Sequence, residues 1–169
     1  MTHPLETLIR SAEGFLLIGE SGQGRFPADS FNAYTRAGKR FYCLDLDGLT
    51  VSRGKSPGLR VYTSVEELPE DRGPLAIIWV TPHTAKRAVE VAHEAGCTQV
   101  WFSFTTGHRD AVARAAELGM EVVEIGRCPM YYMDSAPTGC RFHTRITRMS
   151  GTRERPPQLD PDAKRREMW

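Results

Sequence analysis

The sequence predicts an α/β protein, a Rossmann-like doubly wound sheet of five parallel strands in the order 3-2-1-4-5 with helices on both faces. Three observations carry that expectation. Five short apolar runs, at residues 15–19, 40–44, 75–80, 99–104 and 121–125, alternate with segments of helical spacing. The runs are apolar nearly throughout, so they suit a sheet covered on both faces by right-handed crossovers. The first run ends in the glycine-rich stretch Gly19-Glu-Ser-Gly-Gln-Gly24.

Taken in order, Leu5, Leu8, Ile9 and Ala12 recur at helical spacing before Gly14, which places a short amphipathic helix within residues 1–13. The first strand and its glycine loop follow, then a helix over 29–37 that Gly38 ends. The second strand closes at Asp45. Residues 46–59 are rich in Gly, Ser, Pro and charge and read as a loop. Ser64 and Glu67 have the spacing of a capping box, so a helix is expected to start there and to stop at Pro69. The third strand leads into a helix over 82–95, with Ala85, Ala88, Val89 and Ala92 on one face. The fourth strand, a helix over 109–118 and the fifth strand complete the alternation.

Composition changes after residue 133. Residues 134–169 hold eight Lys or Arg against five Asp or Glu, with four prolines among them. This stretch is expected to be a basic extension of a single domain at 1–133, with an added edge strand or homodimer contact at 140–149, where Phe142, Thr144 and Ile146 alternate, and a poorly ordered end.

Size and charge exclude several function classes. At 169 residues the chain suits one domain. A net charge of +1 gives no global field for nucleic acid. No apolar run approaches the roughly 18 residues of a membrane span, and the N-terminus shows no signal-peptide pattern, so a soluble cytoplasmic protein is the default. Cys43, Cys97, Cys128 and Cys140 are widely spaced without a C-x-x-C pair, which argues against a zinc site or a disulfide framework; no metal is expected.

The chemistry should sit where ligands sit in doubly wound sheets, at the carboxyl ends of the strands. There Gly19, Gly22 and Gly24 let the backbone approach a pyrophosphate, and the following helix offers free amides. Ser21, Gln23 and Arg25 can add donors. The spacing is G-x-x-G-x-G rather than the dinucleotide G-x-G-x-x-G, and no Walker lysine is present. Neither a Ser-His-Asp set, nor paired carboxylates, nor a G-x-S-x-G elbow can be placed, so no catalytic residue is assigned and the chain reads as non-catalytic by itself.

Several segments together resemble the CoA-binding family of small Rossmann-like proteins, related to the CoA-binding domain of succinyl-CoA synthetase alpha subunits. They are Gly22-Gln-Gly-Arg-Phe26, Gly58-Leu-Arg-Val-Tyr-Thr-Ser-Val-Glu-Glu67, Val80-Thr-Pro82, Ala95-Gly96 leading to Val100-Trp101, and Arg127-Cys-Pro129. The resemblance implies coenzyme A, or an acyl-CoA, with its diphosphate at residues 19–25 and its nucleotide flanked by the end of the second strand and the turns at Thr81-Pro82 and Thr105-Thr106. Asp45 stands where family members often have Asn-Pro; beside the 3′-phosphate it calls for a compensating cation, with Arg53 and Lys55 the candidates. Gly107-His108 is similar to the phosphohistidine motif of the synthetases, but there the histidine lies in a second domain that a single 169-residue domain is not expected to hold, so no catalytic role is expected of His108. Cys128 beside Arg127 is a candidate reactive thiol or a structural turn.

Two other readings stand beside this one. An acidic residue ending the second strand is what NAD-binding folds use to hold ribose hydroxyls, so Asp45 motivates an NAD(P)-binding redox sensor or degenerate oxidoreductase. The third is an interaction protein with a vestigial nucleotide pocket and a basic tail.

Overall fold

Residues 15–18 are wholly apolar because the strand they form is covered on both faces. In the computed structural model, which describes residues 3–26, 28–53, 57–150, 158–160 and 162, with 28–30 by backbone alone, β1 (Gly14–Gly19) is buried along its whole length. It lies between β2 (Arg40–Asp45) and β3 (Leu75–Trp79), and β4 (Gln99–Phe102) and β5 (Glu121–Ile125) extend the sheet beyond β3. The order is β2-β1-β3-β4-β5, every pair parallel.

The expected order sets the third strand outside β2, and that flank is occupied by Tyr62 instead. Tyr62 forms a parallel bridge to Leu44, donating its N–H to Cys43 O at 2.8 Å and accepting from the Asp45 N–H at 2.9 Å. Residues 75–79 pair with the other side of β1. Burial explains the exchange: a run of Leu, Ala, Ile and Ile needs cover on both faces and neighbours on both edges, whereas the polar loop before Tyr62 can supply only an abbreviated edge.

Side chains alternate strictly between two cores. Phe15, Leu17, Cys43, Leu75, Ile77 and Trp101 meet α1 (Pro4–Ser11) and α2 (Ala28–Arg36) on one face. Leu16, Ile18, Ala76, Ile78, Val100 and Phe102 meet α3 (Ala85–Glu94) and α4 (Arg109–Glu117) on the other. Ala85, Ala88 and Ala92 are fully covered, and small side chains there let α3 lie close to the sheet. α1 starts where the sequence permits it: Pro4 fits the first turn, and His3 accepts the Leu5 N–H at 3.2 Å.

Two expected elements take other forms. Residues 64–68 make only a turn, closed by the Leu68 N–H on Val65 O at 3.0 Å; Pro69 leaves too few residues to offset the cost of nucleating a helix. Residues 140–149, expected as an edge strand, lie inside helix α5 (Thr138–Met149), so they offer no strand edge for pairing. The helical period wins because Thr147 is fully buried while Phe142 is 66% exposed. The hydroxyls of Thr144 and Thr147 bond back to the carbonyls of Cys140 and Thr144, at 2.8 and 3.0 Å. α5 packs on the 3₁₀ turn Pro129–Tyr132 that follows β5. The poorly ordered end expected of the 134–169 extension lies beyond residue 150 outside the described residues, apart from residues 158–160 and 162. No helix among those residues is long and apolar enough to cross a membrane.

Candidate functional site

The parallel register brings Asp45, Gly19 and Trp79 side by side at the carboxyl ends of β2, β1 and β3. The glycine loop rises from the middle of these three. It forms one 3₁₀ turn over Ser21–Gln23, and Gly24 takes φ +67° to reverse the chain. The loop then closes on itself: the Glu20 N–H donates to Arg25 O at 2.6 Å and the Arg25 N–H to Glu20 O at 2.9 Å. Helix α2 begins three residues later.

The loop's amides are already engaged. Gln23 and Gly24 donate to Glu20 O and Ser21 O. Ser21 donates its N–H to Asp45 Oδ1 and its hydroxyl to Asp45 Oδ2, each at 2.8 Å. Asp45 Oδ2 also accepts the N–H groups of Asp47, at 3.2 Å, and Leu49, at 2.8 Å. Asp45 is 1% exposed, so this is a buried carboxylate with four donors, joining the glycine loop to the loop after β2. Gly22 donates to the carboxylate of Asp47 at 2.7 Å, and Asp47 is exposed. A carboxylate therefore already sits on the Gly22 amide, in the loop where the sequence leads one to expect a phosphate.

A second buried acid binds the loop to β3. Glu20 accepts the Thr81 N–H and hydroxyl at 2.8 Å each and the Thr84 hydroxyl at 2.5 Å. Burial alone would raise its pKa; the bonds from Thr84 and Thr81 and the charge of Arg25 outweigh that and hold it below the ordinary value. Arg25 reaches the end of β4, donating to Thr105 Oγ1 at 2.5 Å and to Phe104 O at 3.4 Å. Burial lowers the basicity of Arg25, and Glu20 opposes that shift. Thr105 has φ +56°, a conformation that a β-branched residue rarely adopts and that clusters at functional sites.

Ten of the expected site residues, Gly19, Ser21, Gly22, Gln23, Gly24, Arg25, Asp45, Thr81, Pro82 and Thr105, thus gather along one edge of the sheet. Arg53 is exposed in the loop beyond Asp47, and Lys55 lies outside the described residues. Sequence reasoning passed over Glu20, Asp47, Thr84 and Trp79. Glu20 and Asp47 were legible only as acids next to the loop and to Asp45. Trp79 stood inside an apolar run, yet its indole Nε1 is buried without a hydrogen-bond partner, a donor suited to a ligand at this edge.

The other candidates have structural roles. His108 caps α4, its Nδ1 accepting the Asp110 N–H at 3.0 Å. Burial pushes the Cys128 thiol up to about 12, which favours its protonated form over the thiolate. A returning C-terminal segment borders the site: the Arg109 N–H donates to Leu159 O at 3.0 Å, and Gln158 O stands 3.0 Å from where a Cβ on Gly107 would lie. No group of His, Cys, Asp and Glu among the described residues could hold a metal ion.

Comparison with known proteins agrees with this architecture. A hypothetical protein from Pyrococcus horikoshii OT3 is 25% identical, with a TM-score of 0.60 over 76% of this chain and 86% of that one. The crystal structure of Prb, a protein redesigned for binding, is 24% identical with the same TM-score and coverage. A conserved hypothetical protein from Pyrococcus furiosus is 21% identical, with a TM-score of 0.54 over 69% of this chain and 95% of that one. No curated protein matches. The model of a family described as a CoA binding domain matches residues 17–134.

Proposed function

The chain belongs to the CoA-binding domain family, and from that premise we propose that it is a non-catalytic module that holds coenzyme A or an acyl-CoA along the carboxyl edge of its sheet. The observation that carries the reading is the convergence of the glycine loop, the Thr81 turn and the Thr105 turn on Arg25 and Glu20. In this reading the diphosphate displaces the exposed Asp47 from the Gly22 amide, faces Arg25 and gains the positive end of α2. Asp45 stays in place as a brace.

The NAD(P) alternative rests on Asp45 holding a ribose diol. With four protein donors on that carboxylate, a diol would have to displace existing bonds, so the CoA reading is preferred.

The test is calorimetric titration of the purified protein with CoA, acetyl-CoA, NAD and NADP, each at two salt concentrations. Salt-sensitive binding of CoA or acetyl-CoA alone supports the module. Tighter binding of NAD restores the redox reading, and silence from all four defeats both nucleotide readings.

A further inference from the structure

The chain has a concave surface away from the cofactor edge. A cleft of about 610 Å³ opens between α5 and the turn Pro129–Tyr132, within the size range of small-molecule sites. Its floor is apolar and adaptable, with Met130 and Tyr131 buried and Met133 half-buried. Its rim carries Arg141, Arg145 and Arg148, spaced so that one face of α5 presents all three.

Charge sets this rim apart. Among the described residues none of the three guanidinium groups has a salt bridge or side-chain hydrogen bond, and the one acid lining the cleft, Asp134, is paired with Arg10 at 2.7 Å. In a chain whose net charge is only +1, three cations at one cleft are a local feature and not a background. Seven residues of helix separate Arg141 from Arg148, roughly 10 Å at the helical rise. Three planar forks over that span suit two or more phosphate oxygens better than a single carboxylate.

We infer that this cleft is a binding site for an amphipathic organic phosphate, its phosphate or diphosphate held by Arg141, Arg145 and Arg148 and its apolar chain laid on Met130, Tyr131 and Met133. The ligand can come from a soluble pool or from a membrane headgroup; the chemistry recognised is the same. The site is independent of the glycine loop, so it stands whether or not the CoA reading does.

The experiment uses the full chain and three probes: octyl phosphate, inorganic pyrophosphate, and phosphatidylcholine vesicles with and without phosphatidic acid. The expected result is octyl phosphate binding at one site, weakened tenfold or more in a variant carrying Arg141→Gln, Arg145→Gln and Arg148→Gln, while CoA titration of that variant matches the unsubstituted protein. Arg145→Gln alone should weaken binding severalfold and serves if the triple variant does not fold. Vesicle binding that needs phosphatidic acid and is lost in the variant also supports the site and identifies the headgroup as its source. Failure to bind octyl phosphate or vesicles, or equal binding by the variants, overturns the inference. Pyrophosphate binding as tightly as octyl phosphate overturns the role given to the apolar floor.

Discussion

Ser21 gives both its amide and its hydroxyl hydrogen to the carboxylate of Asp45, one to each oxygen and each across 2.8 Å. The carboxyl ends of β1 and β2 are joined by this pair, and the conformation of the glycine loop depends on it. Asp45→Ala should therefore behave as a core lesion, leaving buried donors unpaired and costing about 2 kcal/mol. Urea denaturation measures it; a loss below about 0.5 kcal/mol would show that the brace is dispensable.

Asp47 makes the opposite prediction. Its carboxylate is exposed and occupies the Gly22 amide, so Asp47→Asn should remove a competing anion at little cost in stability. CoA affinity is expected to rise severalfold, most at low salt, where an unscreened carboxylate repels phosphate hardest. Unchanged affinity in calorimetry would place the diphosphate elsewhere.

Glu20 should give the fold an acid-sensitive component. Its folded pKa lies below the ordinary 4.5, so the native state binds fewer protons than the unfolded chain as that range is crossed. The stabilisation is complete above about pH 4.5 and is lost as the pH falls through the lower, folded value. Denaturation midpoints between pH 7 and pH 3 should fall less steeply for Glu20→Gln than for the unsubstituted protein. Parallel curves would mean that the Thr81 and Thr84 bonds do not favour the ionised form.

Arg25 links the glycine loop to Thr105 and is the half-buried cation that faces the proposed diphosphate. Arg25→Gln should weaken CoA binding about tenfold, the scale of one charge-assisted bond. Affinity within twofold of the unsubstituted value would remove Arg25 from the site.

Gly73 offers a test of the fold that is separate from any ligand. It has φ +81°, and a Cβ there would stand 2.3 Å from the carbonyl oxygen of Gly14, a backbone atom with little room to give. Gly73→Ala should cost about 3 kcal/mol or more. Gly119→Ala is the control: φ is also positive, at +71°, but no atom lies within 4 Å of its Cβ, so only the conformational penalty, about 1 kcal/mol, is expected.

The sequence by itself determined the five strands, the helices α1 to α4 and the edge at which the strands' carboxyl ends converge. Apolar runs of five or six residues between helical stretches leave few arrangements open, because each run must be covered on both faces and each crossover is right-handed. The glycine spacing after β1 marked the loop, since a reversal at positive φ within so short a span needs Gly24. What local pattern could not weigh was competition between distant groups. Phe142, Thr144 and Ile146 alternate as in a strand, and only tertiary packing selected the helix, in which Thr147 is buried and Phe142 exposed. Asp45 read as a ligand-binding acid until its four donors were assembled around it, three of them from backbone amides that carry no mark in the sequence. Trp79 looked like core because its side chain is apolar, and whether its indole N–H finds a partner is decided by packing alone. Periodicity is a local property of the chain; hydrogen-bond satisfaction depends on groups brought together from 24 to 64 positions apart, as Ser21 with Asp45 and Thr84 with Glu20 are here, and only the folded structure sets it.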